Sequence, residues 1–466
     1  MHQFVYPAED FDEYNLDINK IRILIDKHEN FASKLRKNKK YYDGEHTILD
    51  RSRTSGAPNS KTVCNHAKDI SDVASGYFMG NPITYKTSGT TDLAPLLKAF
   101  GKAHTDDTDA DLALELSISG LGYEFLYLKN KEIYSKPLNP IHTFIVVDDT
   151  IEENELFGVY YWKKKNDITG IYTWRATIVT EHLKYDVSIP TGIEPTNVKT
   201  TGMDTPQQHL FKEVPIIEYQ NNKFCMGDFE QQIPLIDAYN TLMSDRINDK
   251  EQFIDALLIL YGAELGDNEE ETKEAARVLR ENKLLELPED AKAEYLIRTL
   301  DETGVETLRK ALKEDIYTFS HVPNLTDENF SGNSSGVAME YKLLGLEMLT
   351  RIKTRYYKKG LRKRIRLFCN VLELKEILIE SDSIIADFPR TLPKNLLELS
   401  QVIDNLKDDV SAETLIRLLP FVEEPDREIK KVEEQRSKIL RQQQELFKNQ
   451  YNNTPPESEE GDLIGE

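Results

Sequence analysis

The sequence predicts an α+β fold, with a mixed N-terminal half followed by long helices that bracket a small insertion. The first observation is a change of period. Apolar residues recur at three and four up to about residue 119, alternate at two from Tyr123, and return to helical spacing at Ile233. The second is that two amphipathic stretches flank about 37 residues, too few to build a sizeable core of their own.

Composition narrows the class. The 466 residues allow roughly three domains. Lys plus Arg is 59 and Asp plus Glu is 81, a net charge of −22. Hydrophobic residues make up 39%, below the ~45–50% usual for globular chains, so solvated helix or polar interface is expected over much of the length. These values exclude a collagen, a disulfide scaffold and a wholly disordered chain. They disfavour a free-standing nucleic-acid binder, since net negative charge repels phosphate unless cations are gathered locally. Cys64, Cys225 and Cys369 form no CxxC pair, so no zinc ribbon or thioredoxin-type site is suggested, and three thiols fit a reducing cytoplasm. The N-terminus carries Glu9, Asp10, Asp12 and Glu13 and lacks the basic start and apolar run of a signal peptide. The most apolar helical stretch, Ala256 to Tyr261, is far short of the ~18–20 residues that span a bilayer. A soluble chain made in the cytoplasm, with no membrane partner, is the expectation.

The elements follow in order. Residues 17–40 carry Ile18, Ile21, Ile25, Phe31 and Leu35 at helical spacing. Residues 62–78 read as a helix stopped by Gly80-Asn81-Pro82, and 91–119 as a further helical region. Tyr123, Phe125 and Tyr127 alternate in a strand, with a hairpin turn at Lys129-Asn130. Further strands are predicted at Phe144–Val147, Gly158–Trp162, Tyr172–Thr180 and Pro215–Tyr219. Ile236, Tyr239, Met243, Ile247, Ile254 and Leu257 define a long helix; unbroken from 233 to 261 it would be ~43 Å long. Asp267 to Glu271 opens a short helix whose acids suit its N-terminal end. Strands are expected at Lys283–Leu287 and Glu294–Ile297, and a second amphipathic helix through Val305, Leu308, Leu312, Ile316 and Phe319. Residues 323–336 are a polar Gly- and Ser-rich loop. From Val337 a long helix has an apolar face through Tyr341, Leu344, Met348, Ile352 and Tyr356, then Leu361, Ile365, Phe368 and Leu372, with Gly360 a candidate kink. A strand is expected near 384–388. Charged helices over 395–449 are broken at Pro420 and Pro425, and the acidic tail from Asn452 reads as disordered.

No catalytic constellation stands out. The nine histidines are scattered, with no HExxH, and GxSxG is absent. Gly332 to Gly336 is Gly-rich before a helix, where a phosphate cradle would sit, but it lacks the Lys of a Walker loop. A loop with its helix start is the preferred reading. Asp148-Asp149 and Asp327-Glu328 could hold a hard cation, yet a turn and a solvated loop are preferred. Gly76 and Gly80, at GxxxG spacing, are read as helix-end packing. The strongest charge feature is Arg351 to Arg366, with nine cations and no acid. On a helix, Arg351, Arg355, Lys358, Arg362 and Arg366 share one face. That face would meet either DNA phosphate or the acidic surface of a neighbouring subunit.

Tyr41–Ile48, Asn65–Tyr85, Phe144–Thr150, Val214–Asn222, Gly227–Leu258 and Val322–Glu347 together resemble the portal proteins of tailed bacteriophages that infect Gram-positive hosts, the siphophage type. The resemblance covers most of the chain and is weakest in the first forty residues, the insertion and the last eighty. It implies no catalytic activity and no cofactor. It implies a homo-oligomeric ring, typically a dodecamer, at one capsid vertex, assembled in the host cytoplasm and retained in the virion. Double-stranded DNA would pass through the ring, and the terminase large subunit, a head-tail adaptor and the major capsid and scaffolding proteins would be partners. The implied map is a wing at 1–232 with a returning strand near 384–392, stem helices at 233–262 and 300–322, and a clip at 263–299. A tunnel loop at 323–336 precedes a long linking helix at 337–383 and a crown at 393–450, with a tail at 451–466. Asp327, Glu328, Asn329, Phe330, Ser331, Asn333 and Ser334 would face DNA. The alternative is another phage head structural or DNA-binding protein without a tunnel.

Overall fold

The computed structural model describes the chain except residues 1–3, 54–57, 90, 166–169, 171, 191–204, 255–256, 262–267, 283–290, 297–301, 326–335, 391–395, 420–421, 423–424 and 452–466. It divides into two compact units, one of Met1–Thr326 with Lys342–Thr391 and one of Asp327–Tyr341 with Leu392–Glu466.

In the first unit, helix α1 (Ile18–Tyr42) starts where Asp17 Oδ1 accepts the amides of Asn19 and Lys20 at 3.0 and 3.3 Å. Helix α2 (His66–Met79) and strand β1 (Thr84–Thr87) follow. The predicted 91–119 region is two helices, α3 (Ala94–Ala103) and α4 (Thr105–Ser119), hinged at His104 with φ of 53°. Helix α4 ends at Gly120 (φ +78°), whose Cβ would lie 2.4 Å from the Cys225 carbonyl, so only glycine fits there. Strands β2 (Leu121–Lys129) and β3 (Glu132–Leu138) form the expected hairpin, with the turn one residue later than read because Lys129 still pairs with Glu132. Asn130 and Lys131 both have positive φ, as a two-residue hairpin turn requires.

Strands β4 (Thr143–Val147), β5 (Glu155–Lys165), β6 (Tyr172–Val179), β7 (Leu183–Pro190) and β8 (Gln207–Gln208) make an antiparallel sheet in chain order. Its inward residues, among them Phe157, Val159, Tyr161, Trp174 and Tyr185, pack on Phe4, Tyr6 and the apolar face of α1. Asp148 organises the β4–β5 turn: its carboxylate accepts from Thr150 and Asn154 at 2.7–3.2 Å. Strand β9 (Ile216–Gln220) completes a second sheet, ordered β3-β2-β9.

Helix α5 spans Ile233–Ile254, about 33 Å at 1.5 Å per residue. It stops short of the predicted 261, because Leu257–Tyr261 forms strand β10 and pairs antiparallel with β11 (Lys292–Leu296). Between them lies helix α6 (Glu269–Asn282). The predicted strand 283–287 lies outside the described residues. Helix α7 (Glu302–Ser320) returns along α5, held by Arg246 to Glu302 and Glu306, both at 2.9 Å. The long helix α8 is Gly336–Glu373. It runs through Gly360 without a break. The glycine serves close approach, since a Cβ there would lie 2.6 Å from Tyr219 Cδ1. Strand β12 (Ile384–Asp387) pairs with β1, bringing the chain back to the N-terminal half. A second core joins α2, α3 and α4 to the later part of α8, through Phe78, Leu96, Phe100, Tyr357, Leu361 and Phe368.

The second unit contains helices α9 (Leu396–Leu406), α10 (Ala412–Leu418) and α11 (Pro425–Tyr451). Ser411 caps α10, and Pro425 opens α11, the position where its missing amide costs nothing.

Candidate functional site

Asp327, Glu328, Asn329, Phe330, Ser331, Asn333 and Ser334 lie outside the described residues, as do the tail and Pro420. The basic segment of α8 is fully described, and its helical pitch divides the nine cations into two populations.

Lys353, Lys363 and Arg364 are buried. Each reaches an acid on a different element. Lys353 Nζ pairs with Asp228 Oδ2 at 2.6 Å, and Ser117 Oγ donates to the same oxygen at 2.7 Å. Lys363 pairs with Glu155 of β5 and donates to the Ile216 carbonyl at 2.8 Å. Arg364 bridges Asp109 of α4 at 2.6 Å and Glu124 of β2 at 2.8 Å. Tyr357 donates to Asp109 at 2.5 Å and Tyr219 to Glu124 at 2.6 Å. Burial opposes the Arg364 charge, but Asp109 and Glu124 outweigh it and hold the guanidinium pKa well above its usual value. Burial raises the Asp109 carboxyl, with Arg364 opposing. These three cations are held in ion pairs inside the chain. Their positions were legible in part: Arg364 falls three and four residues from Leu361 and Phe368, on the apolar face, and Glu124 interrupts an apolar strand.

The predicted face is solvent-exposed at Arg351, Arg355, Arg362 and Arg366 and half-buried at Lys358. Arg351 Nε pairs with Glu347 at 2.8 Å, and Arg366 grips Glu213 through two bonds of 2.6 and 2.8 Å. Lys358 lies 5.4 Å over the Phe388 ring. Arg355 and Arg362 have no ion-pair partner among the described residues. The earlier part of the predicted apolar face is not core: Leu344, Met348 and Ile352 are 50%, 60% and 47% exposed.

Sequence reading missed a further feature. Asn240, Ser244 and Asn248, one turn apart on α5, accept the backbone amides of Cys64, Thr62 and Ser60 at 2.8, 3.0 and 2.7 Å. Four helical residues rise about 6 Å and two extended residues about 6.6 Å, so the two periods match. An extended strap is thereby fixed along the helix, with Arg51 and Arg53 both paired to Asp245. Among the described residues no cluster of His, Cys, Asp and Glu is placed to hold a metal, and no helix is long and apolar enough to cross a membrane.

Comparison with known proteins gives this architecture a class. The family model described as phage portal protein, SPP1 Gp6-like, matches residues 21–442. The portal protein of Bacillus phage SPP1 is 24% identical over 430 residues, covering 88% of this chain and 82% of that protein. The portal protein of Clostridium phage phiCD119 is 25% identical over 236 residues, 47% of each chain. A chain in the neck of an empty gene transfer agent particle superposes with a TM-score of 0.45 at 11% identity, over 76% of this chain and 89% of that one. The chain belongs to the SPP1-type phage portal family. It is therefore a structural, non-enzymatic component of a phage virion.

Proposed function

We propose that the chain closes into a ring, expected to hold twelve copies, at one capsid vertex, and that double-stranded DNA passes through it during packaging and ejection. The observation that carries this reading is the family match across residues 21–442, which spans every element described above except part of α1 and the end of α11. The composition supports it as well. A chain at −22 with 39% hydrophobic residues suits a wedge whose flanks are completed by identical neighbours, the heterologous geometry of a ring.

The wing is residues 1–232 with β12, and α5 and α7 are the stem. The stem–clip boundary is proposed at about residue 254, and the β10–α6–β11 module as the clip, a reading supported by the pairing of β10 with β11. Residues 323–336 form the loop that faces DNA, through Asp327, Glu328, Asn329, Phe330, Ser331, Asn333 and Ser334. Helix α8 links that loop to the wing, and residues 393–450 form the crown. The terminase large subunit, a head-tail adaptor and the capsid and scaffolding proteins are the partners, with assembly in the host cytoplasm.

Electron microscopy of the purified protein tests the ring, and a stable monomer at micromolar concentration refutes it. Deleting Asn329–Ser335 tests the loop: rings should persist while DNA packaging or retention fails. Loss of rings instead would make the loop structural.

A further inference from the structure

One face of α8 changes character along its length. Leu344, Met348, Ile352, Arg355, Lys359, Arg362 and Arg366 recur at three and four residues and so share a single row. Its first part is apolar and about half exposed; its second part is cationic and exposed. The apolar part has no cover among the described residues of its own unit, and Arg355 and Arg362 lack an ion-pair partner there. This is the composition of a protein interface, where aliphatic side chains and arginine are buried together. A surface that only follows phosphate has no use for exposed Leu, Met and Ile beside its cations.

Charge identifies the partner. Residues 351–366 contribute +9, so the rest of the chain carries −22 − 9 = −31. A second copy of this chain therefore offers an acidic surface to the cationic part of the row, and a ring needs a heterologous contact of this kind between every pair of neighbours. We infer that the α8 row from Leu344 to Arg362 is a subunit seam, covered in the assembled ring by the acidic surface of the adjacent copy. The inference rests on the ring reading above and adds which surface makes the contact.

The test uses the full chain, with rings separated from dissociated protein. Met348 is 60% exposed in the single chain, so hydrogen peroxide should convert it to the sulfoxide readily there, and about tenfold more slowly in the ring. Peptide mass spectrometry reads the rate. Equal oxidation in rings and dissociated chains overturns the seam, as does protection in both, which would mean that the chain covers its own stripe. In a second arm, Met348→Asp/Ile352→Asp should raise the concentration for half-assembly by about tenfold or more. Ile151→Asp, at a site 98% exposed and remote from α8 in sequence, should not. Unchanged assembly of the double variant overturns the seam. Arg355→Glu/Arg362→Glu separates the DNA alternative: weakened assembly supports the seam, whereas intact rings that no longer retain duplex DNA overturn it. A wild-type chain that never closes into a ring would refute the ring reading itself, a result distinct from rings with an exposed α8 row.

Discussion

Arg364→Met is the sharpest test of how α8 is anchored. The guanidinium is fully buried between Asp109 and Glu124, whose side chains are 2% and 0% exposed. Methionine fills much of the same volume, so the loss is chiefly electrostatic. Removing one partner of a buried ion pair costs about 3–5 kcal/mol, because the other charge stays behind unpaired. Here two carboxylates stay behind, which argues for the upper end. Asp109 partly relieves this by taking up a proton, since burial already raises its pKa. A loss of about 3–4 kcal/mol is therefore expected, within the range for a broken buried pair. Urea unfolding at one fixed chain concentration measures it, so that any self-association affects both proteins alike. Adding Glu124→Gln should recover part of the loss, because the amide keeps an acceptor for Tyr219 and removes one stranded charge. A single-variant cost below about 1 kcal/mol, the level of an exposed pair, would refute the account. So would a double variant that is less stable by the full sum of the two changes.

Gly360→Ala should destabilise by about 1–3 kcal/mol, despite alanine's better helix propensity, because its methyl meets the Tyr219 ring and the Glu218 carbonyl; a stabilised variant would show that the contact yields freely. Asn240→Leu leaves the Cys64 amide without its acceptor and should cost about 1–3 kcal/mol. The lifted strap should also speed the reaction of Cys64 with a thiol reagent, and unchanged labelling would dissociate the strap from this bond. Burial lowers His28 to about 3 and His66 to about 4, from an ordinary 6.5. Between those values the unfolded chain binds protons that the folded one does not, so stability present at neutral pH is lost on acidification. The expected loss is about 2 kcal/mol for His28, and somewhat less for His66, between pH 7 and pH 5. Flat stability over that interval refutes the burial of both rings.

Long periodic segments were readable because a single physical signal governs them. The alternation at Tyr123–Tyr127 and the helical rows of α5, α7 and α8 each stand out as one period, although burial does not follow it throughout: Glu124 and Leu126 are more buried than Phe125 and Tyr127, and Leu308 and Phe319 of the α7 row are exposed. The end of α5 was not readable, because a five-residue apolar run such as Leu257–Tyr261 suits a helix or a strand equally. Its partner in β11, 31 to 39 residues away by the paired positions, decides it. The exposure of Leu344, Met348 and Ile352 was hidden for a different reason. An apolar row at helical spacing looks the same whether its cover belongs to the same chain or to another. Charge was the least legible quantity. Five of the nine cations were read onto one face, which is exposed or half-buried, but the acids that hold Lys353, Lys363 and Arg364 inward lie far off in sequence.

Those three explain why a chain with excess acid keeps cations beneath a helix. An apolar helix face can slip by one turn, about 5.4 Å, and still bury leucines. Lys353, Lys363 and Arg364 forbid such a slip, because each finds its acid on a separate element, near Ser117, on β5, and across α4 and β2. A shift of one turn would strand all three charges at once, at several kcal/mol for each broken pair. The later part of α8 is thus fixed in register by its inward cations. The row that carries Met348 and Arg355 is set at a defined angle by the same bonds, since the two faces belong to one rigid helix. If Arg364→Met proves mild, that link between the interior and the exposed row is lost as well.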